Sequence, residues 1–256
     1  MTVLGELLGG KYVVKGVLGA GGTGRVYLVQ NTLDGKAYAV KEIPVEKAER
    51  TGALAELRLK EKLYHPALPH VWETWEESGS IYVAMDYVEG IALDVLLREH
   101  GAIPQEQAVE WAKQLCKALV YLHGFHPPVI YRDMKPANVI LQRDGKLKLI
   151  DFGAIRQLRG QHDTRPLGTP GYAAPEQYGR KPRSDVRTDV YGLGVTLYHM
   201  LTGHDPSEPP YEICDVRDWN KSISPRLSKI VRKCTAKRPG MRYQSCEQLL
   251  KALETS

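Results

Sequence analysis

A short polar segment enclosed by apolar residues restricts the fold of this chain more than any other feature. Residues 131–138 (YRDMKPAN) lie between two apolar pairs, and residues 151–153 (DFG) follow thirteen positions after the segment ends. Within it Asp133, Lys135 and Asn138 supply a carboxylate, an ammonium group and an amide oxygen. Oxygen ligands bind divalent cations, a carboxylate accepts a hydroxyl proton, and a lysine binds a phosphate group. The pattern therefore favours a phosphoryl-transfer site on loops over a purely structural loop between two strands.

The distribution of apolar residues predicts strands first and helices later. Runs rich in Val, Tyr and Leu, separated by glycine turns, predict strands at residues 11–18, 25–30, 36–43, 71–77 and 80–87. A helical pattern occurs within residues 45–64 and returns at residues 105–123, 189–201 and 245–253. This order predicts an α+β chain in two lobes, with a hinge near residues 86–90.

The composition is that of an ordinary globular chain. The 256 residues are 43% hydrophobic and 25% charged, which excludes a disordered or collagen-like protein. No apolar run approaches the roughly 18 residues that cross a bilayer, and residues 1–10 do not resemble a secretory signal. The net charge of +5 suits an anionic ligand, a nucleic acid or a lipid surface and does not choose among them.

The cysteine pattern indicates a reducing compartment. No two of the four cysteines have a C-x-x-C spacing, and a chain of this size and apolar content does not depend on a disulfide framework. We therefore predict a cytoplasmic location. We expect buried thiols, and neither disulfides nor metal ligands, at Cys116, Cys214, Cys234 and Cys246.

Two patterns near the start of the chain suggest a phosphate site. In residues 19–26 (GAGGTGRV) the glycines let a hairpin bring its N–H groups close to phosphate oxygens, although an ordinary glycine turn fits as well. The segment is not a Walker loop, because no Lys-Ser/Thr pair follows it, and its position between two predicted strands does not suit a Rossmann strand-to-helix turn. Lys41, in the strand sequence AVKE, is either a surface lysine or a phosphate-binding ammonium group held by Glu56 of the following helix.

Six motifs occur in the order of one known family. They are the glycine-rich segment, AVK at 39–41, YRDMKPAN at 131–138, DFG at 151–153, APE at 174–176 and DVYG at 189–192. The chain resembles a eukaryotic-type (Hanks-type) protein kinase domain over about residues 11–253, and most resembles the bacterial serine/threonine kinases.

The resemblance implies a bilobal fold and a single protein kinase domain over residues 1–256. We expect a small antiparallel β-rich N-lobe with one main helix at about residues 1–87, and a larger, mostly helical C-lobe at residues 91–256.

The resemblance also implies the chemical roles of the polar segment. Asp133 would orient the attacking hydroxyl and accept its proton, while Lys135 would steady the γ-phosphate of ATP. Asn138 and Asp151 would coordinate Mg²⁺, or Mn²⁺ in its place.

ATP contacts are implied in the first lobe and at the hinge. The glycines Gly19, Gly21, Gly22 and Gly24 would cover the phosphates, which Lys41 would bind in an ion pair with Glu56. The adenine would lie among Leu18, Val26, Ala39, Met85 and Ile140 and bond to backbone groups of Asp86 and Val88. For each apolar member of this set a core-packing role fits nearly as well, since one side chain can serve both purposes.

The resemblance assigns supporting residues around the polar segment. Lys135 favours serine or threonine acceptors over tyrosine, and Thr169 would support Asp133 and Lys135. Glu176 would pair with Arg242, and Asp189 would anchor the backbone of the catalytic loop.

Regulation is predicted at Thr164. Its autophosphorylation, with self-association of two copies if it occurs in trans, would place a phosphate between Arg132 and Arg156. The alternative is a solvated threonine in a surface loop.

Three positions depart from the family pattern. Tyr131 replaces the usual histidine and is expected to stack beneath Phe152. Thr23 replaces an aromatic residue at the tip of the glycine loop. Lys60 replaces an apolar residue four positions after Glu56.

The resulting prediction is an enzyme that transfers the γ-phosphate of MgATP to Ser and Thr hydroxyls of protein substrates. No nucleic acid partner and no membrane segment are expected in the chain, which could also be the cytoplasmic domain of a longer membrane-anchored protein. Two alternatives remain open: a nucleotide-binding pseudokinase that acts as a scaffold, and a small-molecule kinase of the same fold.

Overall fold

The computed structural model describes residues 2–21, 24–46, 59, 61–151, 155–158, 168–178, 183–209 and 211–256. The chain divides into two compact units, Met1–Glu89 and Gly90–Ser256. Several residues named above lie outside the described residues: Gly22, Thr23, Glu56, Lys60, Phe152, Gly153 and Thr164. Most of the helix expected within residues 45–64 also lies outside them.

The first unit contains a six-stranded antiparallel sheet. Its strands are β1 (Leu7–Leu8), β2 (Tyr12–Gly21), β3 (Gly24–Asn31), β4 (Ala37–Pro44), β5 (Val71–Glu77) and β6 (Ser80–Asp86), in the spatial order β1-β2-β3-β4-β6-β5. The strands form because β-branched and aromatic residues alternate with polar ones and pack one face of the pleat. Strand β6 is buried along nearly all of its length because it lies between β4 and β5.

The second unit is mainly helical. Its helices are α1 (Leu93–His100), α2 (Gln105–His123), α3 (Val186–Thr202), α4 (Val216–Trp219), α5 (Pro225–Cys234) and α6 (Cys246–Glu254). Helix α2 buries an apolar stripe that includes Trp111, Leu115 and Leu119 at helical spacing. Helix α3 is buried from Thr188 to Leu201, because apolar residues occur on every side of it, and the buried stretch also contains the polar residues Asp189 and His199.

Short strands position the polar segment in the second unit. Strands β7 (Ile91–Ala92), β9 (Val139–Leu141) and β10 (Leu147–Leu149) form one small sheet, and β8 (Val129–Ile130) pairs with β11 (Arg156–Gln157). Residues 131–138 therefore connect β8 to β9 and are held at both ends, and they finish in a 3₁₀ turn at Pro136–Asn138.

These elements confirm the predicted fold class: an α+β chain with an antiparallel first part and a helical second part. The bounds of β5 and α2 match the prediction, whereas α3 begins at Val186 and not at residue 189. The earlier start arises because the Asp185 side chain accepts a hydrogen bond from the backbone N–H of Arg187 and caps the helix.

The expectation of four buried thiols is wrong for one residue. Cys116, Cys234 and Cys246 are buried and Cys214 is exposed, and all four are free thiols. Cys214 lies in the irregular segment between α3 and α4, where the backbone runs along the surface. Across the described residues, no helix combines the length and the apolar character needed to cross a bilayer.

Candidate active site

The carboxylate of Asp133 lies at the centre of a four-residue cluster in the second unit. Its Oδ1 accepts a hydrogen bond from the Thr169 hydroxyl at 2.9 Å, and its Oδ2 accepts one from the Asn138 side-chain amide at 3.0 Å. The Lys135 ammonium lies 3.2 Å from Oδ2 and donates to the Thr169 hydroxyl oxygen at 2.5 Å. The cluster is shielded but reachable, since the side chains of Asp133 and Lys135 are 16% and 21% exposed.

Asn138 links this cluster to Asp151. Its amide nitrogen donates both to the Asp133 carboxylate and, at 2.8 Å, to the Asp133 backbone carbonyl, which fixes the orientation of the amide. Its own backbone carbonyl accepts the N–H of Ile150 at 3.0 Å. This bond extends the β9–β10 pairing and brings the half-buried Asp151 to the same end of the hairpin as Asn138.

The backbone of the polar segment at residues 131–138, the predicted catalytic loop, is held by buried polar side chains. Asp189 accepts the backbone N–H groups of Tyr131 and Arg132 at 2.8 and 2.7 Å. Arg132 has a φ of 68°, which is strained for a residue with a side chain. Its carbonyl accepts the side-chain amide of Gln177 at 2.8 Å, so both peptide groups that flank the strained position are fixed. His123 contacts the same Asp189 carboxylate at 2.8 Å through Nε2.

Tyr131, which stands where the family usually has histidine, is completely buried. Burial raises the pKa of its phenol well above the ordinary value, and the carboxylates of Asp151, Asp133 and Asp189 raise it further. The phenol therefore stays neutral, and three carboxylates of the second unit act on one ring. The expected stacking partner, Phe152, lies outside the described residues.

Glu176 and Arg242 form a buried ion pair behind the cluster. The guanidinium of Arg242 is fully buried and binds the Glu176 carboxylate at 2.6 and 2.8 Å. Thr188 donates to the same carboxylate at 3.0 Å. The other guanidinium donors bind the backbone carbonyls of Ala236, Arg187 and Lys237. All five N–H groups of Arg242 are therefore used, as a buried guanidinium requires.

In the first unit, three of the predicted adenine contacts lie in one apolar cluster. Ala39 and Met85 are cross-strand partners on β4 and β6, and Val26 packs against the same cluster. Val26 is also the cross-strand partner of Lys41, whose side chain is 7% exposed. Gly19 pairs with Val26 from β2.

The remaining predicted ATP contacts are more exposed. Leu18, Gly19 and Gly21 are solvent-exposed on β2, and Gly24 has a φ of 149° with the carbonyl of Glu42 where a Cβ would lie. Asp86 ends β6, and its N–H donates to the carbonyl of His70 at 3.0 Å, so this N–H already has a partner within the first unit. Val88 is half-buried in the first unit, and Ile140 is half-buried on β9 of the second.

The proposed phosphorylation site is only partly described. Arg132 is buried. Arg156, on β11, is the cross-strand partner of Ile130 on β8, and Ile130 lies two residues before Arg132 in the sequence. Thr164 lies outside the described residues, so the bridging phosphate stays a prediction.

Three supporting residues were missed by the sequence analysis: His123, Gln177 and Thr188. Each is a polar residue in an otherwise apolar or turn context, and each bonds to a residue between 12 and 66 positions away. A polar residue that becomes buried requires a hydrogen-bond partner, and that requirement was the only signal in the sequence for these three roles.

Comparison with known proteins agrees with this geometry. A family model described as a protein kinase domain matches residues 12–253. The chain is 26% identical over 99% of its length to the serine/threonine-protein kinase PrkC of Bacillus subtilis. It is 33% identical over 94% of its length to a probable serine/threonine-protein kinase of Streptomyces coelicolor. It is 35% identical over 74% of its length to the cAMP-dependent protein kinase type 3 of Saccharomyces cerevisiae.

The chain spans only part of these relatives. It covers 42% of the Bacillus kinase, 39% of the Streptomyces kinase and 48% of the yeast kinase.

Proposed function

The chain belongs to the protein kinase family, and on that premise we propose that it transfers the γ-phosphate of MgATP to serine and threonine hydroxyls of proteins. The observation that carries the proposal is the Asp133 cluster. A carboxylate, an ammonium group and a hydroxyl lie within 3.2 Å of one another in the second unit, and an amide holds the carboxylate from the other side.

Asp133 is proposed as the group that receives the proton of the attacking hydroxyl. Thr169 and Asn138 each donate to one of its oxygens, so the carboxylate is oriented before a substrate arrives. Lys135 is proposed to bind the transferred phosphate and to balance its charge. Because Thr169 bonds to both Lys135 and Asp133, it fixes the position of the phosphate-binding group relative to the proton acceptor.

The donor set fits a magnesium ion and a nucleotide. The amide nitrogen of Asn138 is bonded to Asp133, which leaves its side-chain oxygen as the ligand atom, and Asp151 supplies a carboxylate from the same end of the hairpin. Hard oxygen ligands of this kind suit Mg²⁺ or Mn²⁺. When bound, MgATP would supply the phosphoryl group and the charge neutralisation that its transfer needs.

In the first unit, we propose that Lys41 binds the α- and β-phosphates in an ion pair with Glu56, beneath the glycine loop of residues 19–24. Val26, Ala39 and Met85 would contact the adenine, which their shared apolar cluster supports. We further propose Leu18, Val88 and Ile140 as nucleotide contacts.

A protein acceptor is favoured by the docking segment at residues 168–176. This segment is tied to the cluster through Thr169 and to the helical core through the Glu176–Arg242 pair. We propose that it receives the peptide around the acceptor hydroxyl, and that Thr164 is autophosphorylated, in trans if two copies associate. The free thiols favour a reducing compartment, and a cytoplasmic location is part of the proposal.

The test is incubation with γ-labelled ATP, Mg²⁺ and a generic basic protein, followed by phosphoamino-acid analysis. The matched control is the Asp133→Asn protein, which keeps the size of the side chain and loses its basicity. We expect label on phosphoserine and phosphothreonine with the wild-type chain, and at most a trace with the variant.

Other outcomes would identify the alternatives. Nucleotide uptake without transfer indicates a pseudokinase scaffold, and transfer to small molecules but to no protein indicates a small-molecule kinase. Equal labelling by the wild type and Asp133→Asn would overturn the assignment of the proton acceptor.

A further inference from the structure

A polar network of three residues, the buried Tyr172 and His199 and the half-buried Asp205, joins the docking segment to α3 and the turn that follows it. The Tyr172 hydroxyl is 2.6 Å from Nδ1 of His199 on α3 and 3.1 Å from Oδ1 of Asp205. Tyr172 and His199 are 6% and 5% exposed. The docking segment lies directly on this region: a Cβ added at Gly171 would be 2.3 Å from the carbonyl oxygen of Pro206.

The number of protons on Tyr172 determines the direction of these bonds. A phenol has one proton, so it can donate to only one of its two neighbours. An ionised carboxylate only accepts, and the proton of Tyr172 must therefore point to Asp205 for that contact to be favourable. The phenol oxygen is then left as the acceptor of a proton on Nδ1 of His199.

The surroundings support this arrangement. Burial would raise the pKa of Asp205, but the hydrogen bonds from Ser207, together with the contributions of His199 and Tyr172, lower it, so the carboxylate is ionised. Burial lowers the pKa of His199, so the ring is neutral at neutral pH and carries one proton.

The groups that face His199 come from several elements. Asp205 and His204 follow α3, Asp94 lies on α1 and Tyr172 lies on the docking segment. The two carboxylates favour the charged ring, and burial with His204 opposes it. Among the described residues, Oδ1 of Asp94 is a buried carboxylate oxygen without a hydrogen-bond partner.

Two hydrogen bonds connect this network to Asp133, the proposed proton acceptor. The N–H of Tyr172 donates to the carbonyl of Thr169 at 3.1 Å, and the Thr169 hydroxyl donates to Asp133 at 2.9 Å. Fixing the phenol therefore fixes the turn that carries Thr169.

We propose that His199 is a positioning residue, held as the neutral tautomer with its proton on Nδ1, which orients Tyr172 and thereby the segment that receives the protein substrate. The effect on substrate binding rests on the proposed function, whereas the tautomer of His199 does not depend on it. The relay runs from Nδ1–H of His199 to the Tyr172 oxygen, and from the Tyr172 hydroxyl to Asp205.

The kinetic test compares three variants. Tyr172→Phe and His199→Leu remove the relay, whereas His199→Asn keeps a donor close to the position of Nδ1. We expect the KM for a protein substrate to rise about tenfold in the first two, with KM for ATP within about twofold of wild type and a smaller change in His199→Asn. Tyr243→Phe, which removes a phenol from another part of the second unit, is the matched control and should behave as wild type.

The structural test needs no turnover. Two-bond ¹⁵N–¹H correlation spectra of the wild-type chain with labelled histidine should show a protonated Nδ1 and an unprotonated Nε2 for His199, assigned by its loss in His199→Asn. A ring protonated on Nε2 alone would overturn the relay, whether or not the protein phosphorylates anything. An unchanged protein KM in Tyr172→Phe, with an active wild type, would overturn the positioning role.

Discussion

The side-chain amide of Asn138 donates to Asp133 twice, to its backbone carbonyl at 2.8 Å and to its carboxylate at 3.0 Å. One short side chain thereby fixes both the backbone and the acid group of the residue proposed to accept the substrate proton. The same two bonds fix the orientation of the amide, and therefore also of the Asn138 side-chain oxygen, which is the proposed metal ligand. The arrangement is an example of a site whose geometry is set before the ligand binds.

The Thr169 hydroxyl should matter for rate more than for folding. Thr169→Val removes the donor to Asp133 and the acceptor for Lys135, so the hydroxyl that holds these two side chains in position is lost. We expect kcat to fall about tenfold to hundredfold, because small displacements of a catalytic group carry costs of that order. Thr169→Ser keeps the hydroxyl and should retain most of the activity. A Val variant as fast as the Ser variant would contradict this role.

Asp189 should be essential to the shape of the catalytic loop. Asp189→Asn replaces one acceptor oxygen with an NH₂ group that must face a backbone N–H of Tyr131 or Arg132. We expect a loss of about 2–4 kcal/mol in the free energy of unfolding, measured by urea denaturation. The same change at the exposed Asp218 should leave the midpoint unaltered. Equal midpoints for both variants would rule out the anchoring role.

The Glu176–Arg242 pair should contribute to stability through its geometry. Arg242→Lys keeps the charge but cannot reach the carboxylate and three carbonyls together. We expect destabilisation by about 2–3 kcal/mol in the same denaturation experiment. The exposed Arg238 provides the control, since Arg238→Lys removes none of these bonds. A urea midpoint for Arg242→Lys equal to that of the control would contradict the prediction.

Much of the architecture follows from local pattern. Strand β5 and helix α2 have the predicted bounds because each buries one regular stripe, with a period of two in the strand and about 3.6 in the helix. The start of α3 was missed because its helical periodicity is weak and the capping bond of Asp185 is the only boundary signal. Cys214 was wrongly placed because its exposure depends on the path of an irregular segment.

Some residues of the second unit's polar networks could likewise be predicted from the sequence, and others could not. Asp133, Lys135, Asn138 and Thr169 could be named because a known motif order carries them, and the structure brings these four together. The relay of Tyr172, His199 and Asp205 could not be foreseen, since the phenol lies 27 and 33 positions from its partners. No periodicity in a sequence reports a contact of that kind.

The stability of the protein should depend on pH through His199. Its pKa is lowered by burial from an ordinary value near 6.5, so the unfolded chain binds its proton more readily than the folded one. Above pH 6.5 the ring is neutral in both the folded and the unfolded chain, so it does not change the free energy of unfolding. This free energy decreases as the pH falls from 6.5 toward the lower pKa of His199 in the folded chain. Unfolding free energies between pH 7.5 and 5.5 should fall with a shallower slope in His199→Asn than in the wild type.

The proposed role of Asp133 is tested most directly by single-turnover transfer from ATP to a protein substrate in a rapid-quench instrument. We predict that Asp133→Asn lowers the rate constant of the transfer step by about 10²- to 10⁴-fold, while calorimetry finds nucleotide affinity within a few-fold of wild type. A transfer rate equal to that of the wild type at the same nucleotide occupancy would contradict it.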